Sequence, residues 1–456
     1  MLRRINVFLL IFAALGVSLL FSGFNKPLWI DEYLHFAFGG LSFFEAIDVV
    51  ESSTGSGVNW GQTGTYFLMD NILLNFFGAN LHALRLPSII SGFVLIGAAI
   101  YFLRLKGQNP FFQWLVVFAF LAQGSLMYFT GESRPYMPMA SSAVAALAFY
   151  AIPMLKRSTF IGYFLAFWRF IWGALMHPYW PGFLVMIIAF SIWVQRQGGD
   201  QPLDRRLALR FIAFPWLIAG GVIYLTVAAL TWAKGTAGFV APPFEWMGSA
   251  TGTLQTLVST HLMPLFLPSA WDIPYLPIHI QWFNISRLLI VVTVITISLL
   301  AIISRKKYSN IKFAAVLIWI GISSSFFLAL LSYVQSYWIL QRQWVGGMAI
   351  TTVGIIWALG IIMRNLKSIG LPRFPVLVAS AAVATIAFNS ANALIDVAQS
   401  ISQSSDAWST YDADSRSRED LVAVTRQSGD WVYLGNMNIV RGGPVWREVS
   451  DIYGSR

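Results

Sequence analysis

Mostly apolar runs of roughly 15 to 22 residues recur along the chain, each closed by charge. About 20 residues of helix cross a ~30 Å hydrocarbon core. The pattern therefore predicts membrane spans near residues 5–24, 86–103, 111–129, 137–155, 160–176, 180–194, 211–230, 288–303, 313–334, 345–363 and 374–393, about eleven transmembrane helices in all. The first run is longer than the 7 to 15 apolar residues of a signal peptide and has no A-x-A-like site after it, so it is read as a retained anchor. Between the first two spans, residues 25–85 form a long loop with two segments predicted to lie as helices on the membrane surface. One runs from about Ile30 to Val50. The other, Thr65–Phe77, is apolar apart from Thr65, Asp70, Asn71 and Asn75, which makes it too short and too interrupted to span. Ser52 to Gly57 between them reads as a hinge.

Composition supports this pattern. The chain is 57% hydrophobic and 11% charged, with a mean hydropathy of +0.65. A soluble domain carries about 25% charged residues, so a soluble globular enzyme is excluded. There are no cysteines, which removes thiol catalysis, thiolate metal sites and disulfides.

A net charge of +10 would suit nucleic acid, but its distribution suits a membrane. With the N-terminus in the cytoplasm, 17 of the 30 Lys and Arg fall in short segments on the inner side, Arg104, Lys106, Arg364 and Arg373 among them. That is the positive-inside bias, and no nucleic acid partner is needed. Eleven acidic residues precede the tail, and only Asp200 and Asp204 fall inside. The candidate chemistry is therefore on the outer face of the membrane.

The fold class expected is an all-α polytopic membrane protein. Its transmembrane domain covers residues 1–393, including the outer loop 25–85 and a proline-rich outer loop at 231–284. The tail, 394–456, is more charged and is predicted to be a small soluble outer domain. A helical stretch at Glu419–Arg426 and strand-like Asp430–Leu434 suggest α+β structure there.

Several residues in outer segments are candidates for chemistry. Asp31 and Glu32 follow the first span directly. Two adjacent carboxylates at an interface are costly to dehydrate, although Asp and Glu also cap helix N-termini. Glu132, Arg134 and Tyr136 lie in a short turn between two spans. The turn is either a solvated membrane stop or a site held by two rigid helices. His177 stands at another short turn, and Arg342 opens the tenth span, where an interfacial anchor is the simpler role. No phosphate-binding glycine loop and no H-E-x-x-H motif occurs, so nucleotide donors and zinc hydrolysis lack support.

Taken in order, Leu28-Trp29-Ile30-Asp31-Glu32, Leu84-Arg85-Leu86-Pro87-Ser88, Glu132-Ser133-Arg134-Pro135-Tyr136, His177 and Arg342 resemble the polyprenyl-phosphate-sugar-dependent glycosyltransferases of the C superfamily. Protein mannosyltransferases and lipid A aminoarabinose transferases belong to that group. Many of its members have His-Pro-Pro-Leu before the second surface helix, where this chain has Trp60-Gly61-Gln62-Thr63.

The resemblance implies an inverting transfer of a sugar from a polyprenyl-phosphate carrier to a hydroxyl of a glycan, lipid or protein acceptor. It would take place on the periplasmic or extracytoplasmic face of the inner (plasma) membrane. Asp31 would be the catalytic base and Arg342 would bind the phosphate. Glu132 would orient the acceptor or, with Asp31, help hold a divalent cation; Glu32, Arg134, Tyr136 and His177 would shape the pocket. The rival class is a transporter or flippase of lipid-linked glycans. Transporters tend to place ionisable groups near mid-membrane and often have repeated halves, and no repeat is evident here. An oligosaccharyltransferase would carry a Trp-Trp-Asp motif, which is absent.

Overall fold

The computed structural model describes residues 35, 41–52, 65–78, 81–121, 126, 129–155, 172–173, 176, 280–303, 309–335, 344–364, 373–388, 432–434 and 437–439. These residues are helical almost throughout. The helices are α1 (Phe43–Ser52), α2 (Thr65–Phe77), α3 (Leu81–Leu105), α4 (Pro110–Leu121), α5 (Tyr136–Leu155), α6 (Ile280–Ile303), α7 (Ser309–Gln335) and α8 (Val345–Arg364). A ninth, α9, runs over Arg373–Phe388. The tail contributes two short strands, β1 (Val432–Leu434) and β2 (Met437–Ile439), paired antiparallel with Val432 opposite Ile439. The spans expected at 5–24, 180–194 and 211–230, almost all of 160–176, and the tail helix at 419–426 lie outside the described residues.

Two segments, Ala83–Leu105 and Val345–Arg364, are long and apolar enough to cross a membrane. The 23 residues of the first extend about 35 Å as a helix. The outward faces are apolar too. On α6, Leu288, Ile295, Leu299 and Ile302 recur at helical spacing and are all more than half exposed. Such a stripe would be a liability in water and is at home in lipid. Several helical Ser and Thr side chains return their hydroxyls to the carbonyl a turn earlier, as in Ser91 to Pro87, Thr130 to Leu126, Thr293 to Leu289 and Thr352 to Met348, so these leave no donor facing hydrocarbon.

At the centre of the bundle is α8, whose residues Val345–Ile362 are all buried. It packs mainly on α7, and also on α5, α4 and α3, while α3 lies along α5. Glycines bring α7 and α8 close. A Cβ on Gly321 would fall 2.6 Å from the Gly347 carbonyl and 2.9 Å from the Thr351 amide nitrogen. Between apolar helices in lipid, this kind of backbone approach supplies much of the packing energy.

Local signals explain several boundaries. Helix α3 ends in a Schellman turn: Gly107, at φ +67°, donates to the Arg104 carbonyl and Gln108 to that of Leu103. Asn109 then caps α4, its Oδ1 accepting from the Phe112 amide, with Pro110 at the first helical position. The single surface helix expected over 30–50 does not hold at residues 41 and 42. Residues 41 and 42 are non-helical, and α1 begins afresh with a capping box in which the Ser42 amide donates to Glu45 and the Glu45 amide to Ser42 Oγ. Helix α6 starts at Ile280, inside the segment read as the end of the proline-rich loop, and no proline follows Pro277 there to prevent it.

Lys106 and Arg364, both expected on the inner side, come to the same end of the bundle. Lys106 Nζ lies 5.3 Å from the centre of the Trp357 ring, and a Cβ on Gly107 would sit 3.5 Å from the Arg364 guanidinium. Gly321→Ala is expected to force α7 from α8 and cost about 1 to 3 kcal/mol. Gly97→Ala, where a Cβ meets nothing within 4 Å, is the matched control. Thermal unfolding in one detergent compares them, and equal midpoints would contradict the close packing.

Candidate functional site

At the opposite end of α3 from Lys106, the buried ionisable side chains among the described residues gather in one place. His35, Asp70, Arg85, Glu132 and Arg134 are each no more than 5% exposed. The elements that bring them together are the segment at His35, α2, the N-terminal end of α3 and the turn before α5.

Helix α2 carries its polar groups inward. Tyr66, Phe67, Asp70, Asn71 and Leu74 form its buried face, while Ile72, Phe76 and Phe77 are exposed. This is the reverse of a helix on a soluble protein, and it suits a helix with its outer side against lipid. Asn71 and Asn75 both donate to the Leu41 carbonyl, at 2.8 and 3.1 Å, which ties α2 to the start of α1.

One turn of α2 earlier than Leu74, Asp70 accepts two hydrogen bonds on the same oxygen: from His35 Nδ1 at 2.7 Å and from Ser133 Oγ at 3.0 Å. His35 lies flat on Phe67, with ring centres 4.0 Å apart, and edge-on to Tyr66. Burial pushes the His35 pKa well below its ordinary value, and the nearby Arg134 charge adds to the effect. The ring is therefore neutral. With Asp70 ionised its carboxylate can only accept, so Nδ1 is the nitrogen that carries the proton, and Nε2 has no hydrogen-bond partner among the described residues.

A second chain of bonds runs alongside. Tyr66 Oη donates to Ser88 Oγ at 2.8 Å, and Ser88 donates in turn to the Arg134 carbonyl at 3.2 Å. The turn is tight: the Arg134 amide donates back to the Glu132 carbonyl at 2.8 Å, and the Met139 amide to that of Pro135 opens α5. The Arg134 guanidinium sits 5.7 Å from the centre of the Tyr136 ring, within cation–π range, and Tyr136 packs on Phe129.

The structure thus brings together three residues singled out in the sequence, Glu132, Arg134 and Tyr136, and buries all of them. A solvated membrane stop would have left the two charges exposed. Asp31, Glu32, His177 and Arg342 lie outside the described residues. Met176 and Trp344, close to the last two in sequence, are fully buried. Sequence reading missed His35, Tyr66, Asp70, Ser88 and Ser133 as members of the site. The available signal was Asp70 itself, an ionisable residue in an apolar helix, which in a membrane protein points to function by default.

No group of three or more His, Asp and Glu side chains among the described residues is arranged to hold a metal ion. Asp70 is engaged by His35 and Ser133, so a cation held by Glu132 would need donors from elsewhere. The arrangement can hold a rigid, partly dehydrated turn at the mouth of the bundle, where charge–charge interactions are stronger than in water.

The neutral His35 gives a pH dependence. Unfolded, a histidine takes a proton below pH ~6.5, whereas in the folded chain His35 resists it. The unfolded state then binds more protons, so stability falls as pH drops below ~6.5, by up to about 1.4 kcal/mol per pH unit from this group. Thermal midpoints at pH 7.5 and 5.5 should fall more in wild type than in His35→Phe, and parallel losses would contradict the assignment.

No protein-family model and no curated protein sequence matches the chain. Among solved structures, it is similar to the archaeal oligosaccharyltransferase AglB from Archaeoglobus fulgidus in complex with an inhibitory peptide and a dolichol-phosphate. The identity is 14% and the TM-score 0.48, over 86% of this chain and 56% of that one. It is also similar to ArnT from Cupriavidus metallidurans in the apo state, at 13% identity and TM-score 0.42, over 80% of this chain and 79% of that one. ArnT bound to undecaprenyl phosphate gives 14% identity and TM-score 0.37, over 79% and 78%. The chain spans a little over half the length of AglB and about four fifths of ArnT.

Proposed function

We propose that this chain is an inverting glycosyltransferase that moves a sugar from a polyprenyl-phosphate carrier to an acceptor hydroxyl. The reaction would take place on the outer face of the cell's inner membrane. The observation that carries the reading is the burial of Glu132 and Arg134, at 1% and 5% exposure, in the short turn ahead of α5. Two ionisable side chains are dehydrated there, beside the Leu84–Ser88 end of α3. Dehydrating charge is unfavourable, and a site that must orient a substrate is where such a cost is tolerated.

In the reaction, the acceptor oxygen forms a bond to the anomeric carbon as the bond from that carbon to the carrier phosphate breaks. Asp31 takes the hydroxyl proton, and the bonding electrons leave on the phosphate oxygen. Arg342 stabilises that oxygen with its planar, forked donors. A single displacement inverts the anomeric centre. Glu132 orients the acceptor, and Glu32, Arg134, Tyr136 and His177 line the pocket. The working architecture is the eleven-span domain 1–393 with an outer tail at 394–456, and the acceptor is a glycan, lipid or protein.

The transporter reading finds less support. A substrate path through the membrane would favour ionisable groups near the middle of the bundle. The buried ones described here gather at one end.

Two variants test the roles. Asp31→Asn keeps size but cannot take the proton, so transfer should drop by ~10² or more while the protein stays folded and binds donor. Near-normal turnover in radiolabelled-sugar transfer would remove Asp31 from the base role. Arg342→Lys keeps charge but loses the fork, and donor affinity should fall further than in Asp31→Asn. Unchanged affinity for a polyprenyl-phosphate sugar would rule out the phosphate role of Arg342.

A further inference from the structure

His35 is held on every side. Its ring lies between Phe67 and Tyr66, its Nδ1–H is bonded to Asp70, and that same Asp70 oxygen accepts from Ser133 in the Glu132–Arg134 turn. The three residues come from positions 35, 70 and 133, so one carboxylate ties the first outer loop to α2 and both to the turn. Asp31 precedes His35 by four residues. Four residues reach at most about 14 Å when extended and about 6 Å as a helix. Anchoring His35 therefore bounds Asp31 to within about 14 Å of the His35–Asp70 bond by chain length alone.

We propose that His35 and Asp70 are a positioning pair that holds the segment bearing Asp31 against the turn bearing Glu132. This rests on the transferase reading for its catalytic consequence, though the anchoring stands apart from it. The working atom is His35 Nδ1, which donates to Asp70. Nε2 takes no part, and His35 touches no reacting group. The charge on Asp70 matters because a carboxylate accepts from His35 and Ser133 at once. The ring stacking matters because it keeps the donor in plane with its acceptor.

The chemistry of the two ring nitrogens supplies the test. The amide of His35→Asn places an N–H near the Nδ1 position and nothing at Nε2, whereas His35→Leu removes both. In the positioning role, His35→Leu lowers kcat by about 10² with the donor KM within twofold, as expected when a reacting group is misplaced by about an ångström. His35→Asn keeps most of kcat. The double variant His35→Leu/Asp70→Leu, which strands no buried carboxylate, should lose no more than either single change. An equal loss in His35→Asn and His35→Leu would overturn the proposal, because Nε2 would then be the working atom.

A readout without catalysis keeps the two ideas apart. The chain has no native cysteine, so Tyr33→Cys can carry a single spin label beside His35. The label should be immobile in the otherwise wild-type chain, become mobile with His35→Leu, and stay immobile with His35→Asn. An unchanged spectrum in His35→Leu overturns the anchoring. If the wild-type protein transfers no sugar from any polyprenyl-phosphate donor, the transferase reading fails, and the label alone still decides whether the pair positions this segment.

Discussion

A carboxylate with no solvent exposure is the constraint on which one end of this bundle depends. Asp70 sits among Leu, Phe and Ile in α2, and an ionised acid there is stable only when donors surround it. Two donors are His35 and Ser133, from 35 residues earlier and 63 residues later. Satisfying one buried charge thus places three separate segments.

The electrostatics of the site follow from the same burial. Dehydration keeps His35 neutral, and the Arg134 charge acts in the same direction. A neutral ring adds no positive charge of its own to a region that already holds Arg85 and Arg134. The network Tyr66–Ser88–Arg134 carbonyl holds the backbone of the turn independently of charge. One set of bonds thus places the charges and the other holds the backbone that carries them.

The rest of the bundle supplies rigidity. Apolar side chains gain little by meeting each other when lipid is the alternative, so close backbone approach carries more of the packing. Helix α8 is buried along nearly its full length, and the contacts at Gly321, Gly347 and Gly354 draw it against α7. Helix α5 begins directly after the Glu132 turn and packs along α3, whose Ser88 donates to the Arg134 carbonyl. A short turn held by two such helices has little freedom to move, which is what a group poised for chemistry requires.

Much of this was legible in local sequence. Hydropathy and length located the helices that became α3, α5, α7, α8 and α9, and set α2 at Thr65–Phe77 to the residue. The charges on Lys106 and Arg364 assigned them to one side, and they meet at one end. The Glu132–Tyr136 turn stood out because charge between two apolar runs is rare. These features depend on neighbours within a few turns, which periodicity reports. Only the tertiary structure decided that Asp70 and Asn71 of α2 turn inward, that α1 begins only after Ser42, and that His35 finds Asp70 and Asp70 finds Ser133. No local pattern encodes those pairings. They come from satisfying a buried charge across long stretches of chain, and in a membrane the usual rule that polar residues face outward no longer says where such a charge will go.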